Sequence, residues 1–315
     1  MPIATKRRNI EKTAAPIIEA EPSPALLEEE EAPKPKVTAL IFSYDNAPGL
    51  RRCLAAIENS NDRELVEILV VDCGSHDESP GMDSEFPNIT MLRLPRYFGR
   101  TKALNIGTRT ATTENLFFLT PEVEPMPTTI PSLLAWLDQH ADIMAVAPLL
   151  LNTEGKPVEQ FFDLPHPRTG DALKPAIVDK MAESAAVEFA SFQALLVRKY
   201  FIRGINFLDE RYGDFGADAE LGWQIRRAAR KLVVLPRVTA LFTPTQPAYS
   251  ASAKNTLEAD RIHGLATFFG KHYGFITGLL FRVKCIFKAA FTGKFGLAGA
   301  LLSGTKIDGS QSVIL

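Results

Sequence analysis

Val37-Thr38-Ala39-Leu40-Ile41-Phe42-Ser43-Tyr44-Asp45-Asn46 is the stretch that decides the fold. A short, mostly apolar run ending in a polar tetrad reads as a buried strand that delivers a loop to its carboxyl end. The figure repeats downstream. Glu67-Ile68-Leu69-Val70-Val71 ends at Asp72-Cys73-Gly74-Ser75, and Asn115-Leu116-Phe117-Phe118-Leu119 ends at Thr120-Pro121-Glu122-Val123-Glu124-Pro125. Between them, Leu50, Leu54 and Ile57 fall on one helical face, and Ile89–Leu94 reads as a strand before a helix over Thr101–Thr110. Strands alternating with helices predict an α/β fold, with a mainly parallel sheet flanked by helices. In such sheets ligands bind beyond the carboxyl ends of the strands, where Asp45, Asp72 and Glu122 converge.

Farther on, the pattern predicts a helix over Thr129–His140, a strand at Met144–Ala147 and a strand over Glu188–Val197. A helix over Asp218–Lys231 and a short strand at Leu232–Leu235 follow, while Leu150–Glu188, rich in Pro and charge, carries no clear period. Before Val37, repeated prolines and the run Glu28–Glu31 predict a disordered segment over residues 1–36, because too few large apolar residues offset the entropy of ordering. The expected division is therefore 1–36 disordered, 37–250 the α/β domain, and 251–315 a helical tail.

Composition narrows the class. The chain has 315 residues, 46% hydrophobic and 23% charged, with a net charge of −2, which gives no basis for a nucleic-acid partner. Cys53, Cys73 and Cys285 are odd in number and lack metal-ligand spacing, so they read as reduced thiols in a cytoplasmic protein. The basic N-terminus has no apolar h-region, and no apolar stretch of about 18 residues reads as a membrane span.

Each polar cluster has two readings. Asp72 before Gly74 suits hydrogen bonding to a base or ribose, or an Asx turn that only shapes the loop. Glu122 and Glu124 suit a hard divalent cation at a pyrophosphate, or two solvated acids in a Pro-bracketed loop. Asp218 and Glu220 open a helix, where the dipole favours acids, and where a general base for an acceptor hydroxyl also fits.

Taken in order, these segments resemble the family 2 glycosyltransferases with the GT-A fold, especially their bacterial rhamnosyltransferase-like branch. The resemblance runs from Val37 to Leu241, about two thirds of the chain. Leu40–Asp45 stands for the opening strand and its loop. Leu69–Ser75 is similar to "IVVDNGS", Phe118–Pro125 to "FLNPDVEP", Phe207–Tyr212 to "FDERF", and Ala217–Leu221 to "EDVDL". Phe98–Gly107 resembles the segment that lies near the donor. The resemblance implies transfer of a sugar, with inversion, from a nucleotide-diphosphate donor to a polysaccharide or lipid-linked acceptor. Ser43, Tyr44, Asp45, Asp72, Ser75 and Lys102 would bind the nucleotide, Glu122 and Glu124 a divalent cation (Mg²⁺ or Mn²⁺), and Asp218 would be the base. Phe42, Asp45, Glu122 and Ala217 depart from the pattern, and no His stands at Phe242–Thr245, so weakened metal dependence is expected. A catalytically degenerate nucleotide-sugar-binding or scaffold protein is the alternative. A nucleotidyltransferase would need a Gly-rich, basic phosphate loop, and Ser43–Leu50 is not one.

From Arg261 to Lys306 basic residues alternate with aromatic and aliphatic ones and no acid occurs. That suits either an anionic membrane surface on the inner face of the cell membrane or a helix packed on the domain.

Overall fold

The computed structural model describes residue 1 and residues 34–245, 250–304 and 307, so most of the segment expected to be disordered lies outside the described residues. Eleven strands and eight α-helices follow one another in the described chain. The strands are β1 Val37–Ser43, β2 Val66–Asp72, β3 Ile89–Arg93, β4 Asn115–Leu119, β5 Val123–Pro125, β6 Ile143–Leu151, β7 Phe161–Phe162, β8 Ala185–Val187, β9 Phe189–Ala190, β10 Ala194–Arg198 and β11 Lys231–Phe242. The helices are α1 Ala47–Glu58, α2 Arg100–Thr110, α3 Thr129–Gln139, α4 Lys199–Gly204, α5 Ala217–Arg227, α6 Ala251–His272, α7 Phe275–Phe291 and α8 Phe295–Ser303.

The main sheet has nine strands in the order β3-β2-β1-β4-β10-β6-β11-β5, with β8 also on β11. Strands β1–β4, β6 and β11 run one way, and β5, β8 and β10 run against them. The carboxyl ends of β1 and β2 lie level, Ser43 opposite Asp72, and those of β4 and β11 reach the same rim.

Strand β1 is buried throughout because both sheet faces are covered. Ala39 and Ile41 point into a core with Leu50, Leu54 and Ile57 of α1 and Leu133 and Leu137 of α3. Leu40 and Phe42 point into the other, with Leu104 of α2, Leu221 and Ile225 of α5, and Phe268 and Phe269 of α6. Helix α2 crosses β1 at Gly107, where an added Cβ would stand 2.2 Å from Leu40 Cδ1, so only glycine allows that approach.

Helix α6 therefore belongs to the core and is no loose tail. Its C-terminal turn is fastened by Glu220, which accepts from Lys271 Nζ at 2.8 Å, His272 Nε2 at 2.7 Å, Gln224 Nε2 at 2.7 Å and Tyr212 Oη at 3.0 Å. Burial pushes the Glu220 carboxyl up, but the Lys271, His272 and Gln224 donors outweigh it, and the net direction is down. By contrast, α7 buries only Gly278, Phe281, Cys285 and Ala289 and leaves Phe275, Ile276, Leu279, Leu280, Phe287 and Phe291 exposed.

Candidate active site at the strand-end rim

The loop after β1 and the loop after β2 are tied together by the residues expected to hold a nucleotide. Asp72, almost fully buried, accepts from Ser75 N at 3.1 Å and from Ser75 Oγ. Ser75 Oγ in turn accepts from Asp45 N at 2.9 Å, and Asp45 Oδ1 accepts from His76 N at 2.6 Å. Burial is the main reason the Asp72 carboxyl sits above its ordinary range, against the pull of the Ser75 donors. Gly74, at φ +73°, makes the turn, and a Cβ there would strike the backbone of Arg96 at 2.7 Å. Asp45 itself is left-handed at φ 43°, a conformation Asp tolerates better than most residues. The Asx-turn reading of Asp72 is thus realised, and the same turn gathers Asp45, Asp72 and Ser75 at one point of the rim.

Tyr44 packs its ring against Tyr97, with centroids 4.6 Å apart, and Tyr97 stands edge-on to Phe42 at 6.0 Å. Ser43 is buried, and its Oγ has no hydrogen-bond partner. Lys102 lies on the ring of Phe98, with Nζ 4.7 Å from the centroid.

On the α1 side of the sheet, the two expected metal residues part company. Glu122 Oε1 accepts from Asn46 Nδ2 at 2.8 Å and from Thr245 Oγ1 at 2.7 Å. Glu124 Oε1 is ion-paired with Arg52 Nε at 2.9 Å and lies 3.3 Å from Thr243 Oγ1. Glu124 has its charge neutralised by a guanidinium and Glu122 has one oxygen engaged by an amide and a hydroxyl, which weakens the pair as a cation site. Among the described residues no three His, Cys, Asp or Glu side chains gather as a metal site.

Asp218 stands in the first turn of α5, where its Oδ1 accepts from Ala219 N at 2.8 Å. Burial raises its carboxyl above the ordinary range, while nearby Arg100 draws it down. The loop before α5 is locked to α2: Asp214 Oδ1 accepts from Arg100 N at 2.7 Å, and Asp214 Oδ2 from Tyr97 Oη at 2.6 Å. Asp260 of α6 accepts from Asp214 N at 2.8 Å and from Ile307 N at 3.2 Å. Burial, reinforced by the Asp214 charge, holds Asp260 up to about 7. Tyr97 therefore joins the nucleotide-side loops to the segment carrying Asp218.

Asn46, Tyr97, Arg100 and Asp214 are rim residues that the sequence reading did not single out. Asn46 was detectable: it precedes a helix with Pro in its first turn, and its side chain caps that helix at Gly49 N, 3.2 Å away. Asn105, inside the donor-side motif, turns out to pin the Phe207–Glu210 loop, through Leu208 O at 2.8 Å, Leu208 N at 3.0 Å and Glu210 Oε1 at 2.9 Å.

A curled, mainly parallel sheet with helices on both faces and acidic loops along one strand-end rim defines a GT-A-like α/β protein. The chain belongs to glycosyl transferase family 2, whose profile matches residues 38–196. It is 27% identical over 199 residues to the pre-mycofactocin glycosyltransferase of Mycobacterium tuberculosis, a match covering 62% of this chain and 40% of that one. The chain thus spans about two fifths of the length of the curated relatives it matches. Among solved structures it is similar to the mannosyltransferase PcManGT from Pyrobaculum calidifontis in complex with GDP-Man and Mn²⁺, with TM-score 0.53 and 18% identity over 86% of this chain and 79% of that one. It is also similar to S. aureus TarS in complex with UDP-GlcNAc, with TM-score 0.52 and 17% identity over 76% of this chain and 73% of that one. At these identities the structural likeness establishes the fold.

Proposed function

We propose that the protein transfers a sugar, with inversion, from a nucleotide-diphosphate donor to a glycan or lipid-linked acceptor. The observation that carries this reading is the joining of Asp45, Asp72 and Ser75 to the Asp214–Asp218 segment across one rim through Tyr97. Asp45, Asp72 and Ser75, with Ser43 and Tyr44, hold the nucleoside, and Lys102 reaches the donor from the first turn of α2. Asp218 is the base. Its carboxylate takes the proton of the acceptor hydroxyl as the acceptor oxygen bonds to the sugar's anomeric carbon. The bond from that carbon to the phosphate oxygen breaks, and its electron pair leaves with the nucleoside diphosphate. These steps draw on the protein's own side chains, and the Arg52 charge on Glu124 weakens the pair that would hold a cation. The rhamnosyltransferase-like branch is our assignment from the ordered set of motifs between Val37 and Leu241, and it makes a deoxyhexose the first donor sugar to try.

A screen of nucleotide sugars by thermal shift tests the reading, because a ligand that binds the native state raises the melting temperature. One donor should raise it, and incubation with that donor should release nucleoside diphosphate. A stabilising donor with neither transfer nor hydrolysis would instead favour the non-catalytic scaffold, which the Glu124–Arg52 pair and the Ala217 substitution support.

The exposed side of α7 supports a second element of the proposal, docking on an anionic membrane surface at the inner face of the cell membrane. Phe275, Leu279, Val283, Phe287 and Phe291 recur every fourth residue and are all exposed, a single helical stripe. Lys284 and Lys288 flank it, Lys288 also pairing with Asp171 at 3.2 Å, and each basic residue near an anionic leaflet contributes about 1 kcal/mol. Among the described residues no helix is long and apolar enough to cross a membrane. The protein should sediment with phosphatidylserine vesicles and be released by high salt. Phe287→Ser with Phe291→Ser should abolish sedimentation with an unchanged melting temperature, since both rings lie outside the core. Absence of sedimentation by the unaltered protein would end this part of the proposal.

A further inference from the structure

Departure of a nucleoside diphosphate builds negative charge on the phosphate, and a fixed cation at that place stabilises the transition state. The partners of Glu122 and Glu124 weaken that pair as a metal site for this purpose. The rim does hold a cation with an unused donor. Arg100 is the first residue of α2, and its backbone N–H goes to Asp214 Oδ1 at 2.7 Å. The next residue, Thr101, gives its N–H to Gly213 O at 3.2 Å and its hydroxyl to the same oxygen at 2.6 Å. The first two N–H groups of α2 are therefore already used, and the Arg100 side chain remains for a ligand.

That side chain lies over the ring of Phe42, with Cζ 5.5 Å from the centroid, at the last apolar residue of β1 before Ser43. Its Nε is buried without a hydrogen-bond partner. A buried N–H left without an acceptor destabilises the fold, so its retention calls for an acceptor that arrives with a ligand. The guanidinium is near enough to Asp218 to affect that carboxyl. Phe42 under the guanidinium and Asp218 near it come from two separate segments, β1 and the Asp214–Asp218 segment, and Asp214 fastens the second to the Arg100 backbone. A planar guanidinium is matched to two phosphate oxygens at once.

We infer that Arg100 binds the donor diphosphate and supplies positive charge for its departure, so that departure does not depend on a cation at the altered carboxylate pair. The inference rests on the glycosyl-transfer reading and names the residue that receives the leaving group. It makes Arg100 a catalytic residue facing the base across the transferred sugar.

The test measures binding of UDP, GDP, uridine and guanosine to the full chain by calorimetry, first in EDTA and then with Mn²⁺. The unaltered protein should bind one diphosphate in EDTA more tightly than its nucleoside. Arg100→Met should weaken the diphosphate by about 10- to 100-fold and leave the nucleoside unchanged, the range expected for hydrogen bonds to a charged group. Arg100→Lys, which keeps the charge but not the fork, should fall between. A melting temperature recorded for each variant separates lost binding from lost fold, and Arg100→Lys serves alone if the Met variant unfolds. Equal diphosphate affinity in the variants would overturn the inference while leaving the transfer reading standing. So would a diphosphate preference that exists only with Mn²⁺. No binding of any nucleotide by the unaltered protein would overturn both.

Discussion

Asp218→Asn should lower the transfer rate by about two to four orders of magnitude, the span a general base contributes, with donor affinity nearly intact. Asn keeps the size and still accepts from Ala219 N, the bond that holds the side chain in the first turn of α5. What it lacks is the ability to take a proton. The pH profile carries the same signature. The base acts only when ionised, so the rate should rise with pH through the Asp218 pKa and level off above it. Burial places that pKa above the ordinary Asp range, so the rise should begin at a higher pH than a solvated Asp would give. Glu220, the neighbouring candidate, is committed to Lys271, His272, Gln224 and Tyr212, and Asp209 is held well below its usual range by Arg211 and Lys271 despite burial. Neither is free to substitute. Near-normal turnover by the Asn variant at every pH would remove Asp218 from the mechanism.

The first half of the fold was legible because its strands are short apolar runs bounded by polar loops. Helix α3 and strands β1 to β4 fall within about a residue or two of their predicted positions, the scatter expected of any boundary. Strand direction was not legible. Glu188–Val197 reads as one strand, yet it splits into β9 and β10, and β10 runs against β4 in register Ala194 to Leu119. Apolar spacing carries no sign of direction. Strand β11 was expected to stop at Leu235, but it continues to Phe242 past an irregularity between Leu235 and Thr239. Pro236 hid that continuation, since proline within a run argues against a central strand unless a bulge accommodates it. That Asp45, Asp72 and Ser75 gather at one rim could be read because each lies at a strand end or within three residues of one. The Arg52–Glu124 pair joins residues 72 apart, and nothing in local spacing announces it. Arg100, two residues before Lys102, carries no local mark of its place over Phe42, because sequence spacing does not say where a long cationic side chain points.

The tail gives the largest expected effect on stability. Ending the chain at Ser250 should abolish cooperative folding, and Phe269→Ala alone should cost about 3–5 kcal/mol. Basic and aromatic composition made the whole of 251–315 read as one segment, but burial divides it. Phe268 and Phe269 are fully buried, and Phe269 meets Phe281 edge-on with centroids 4.9 Å apart. Removing α6 exposes one face of the sheet's core and strips Glu220 of Lys271 and His272. Loss of the Phe268 and Phe269 rings from the core costs about 3–5 kcal/mol for each. Against a total stability of about 5–15 kcal/mol, the two losses together leave little or none. Chemical denaturation of the full chain, the Ala variant and the truncated chain measures this directly. A sharp unfolding transition in the chain ending at Ser250 would show that α6 is an appendage, and the core assigned to Phe268 and Phe269 would then be wrong. Exposed residues of α7 predict the opposite: Phe291→Ala should move the midpoint hardly at all, because that ring is 87% exposed. The contrast between two phenylalanines of adjacent helices is what a composition count could not supply.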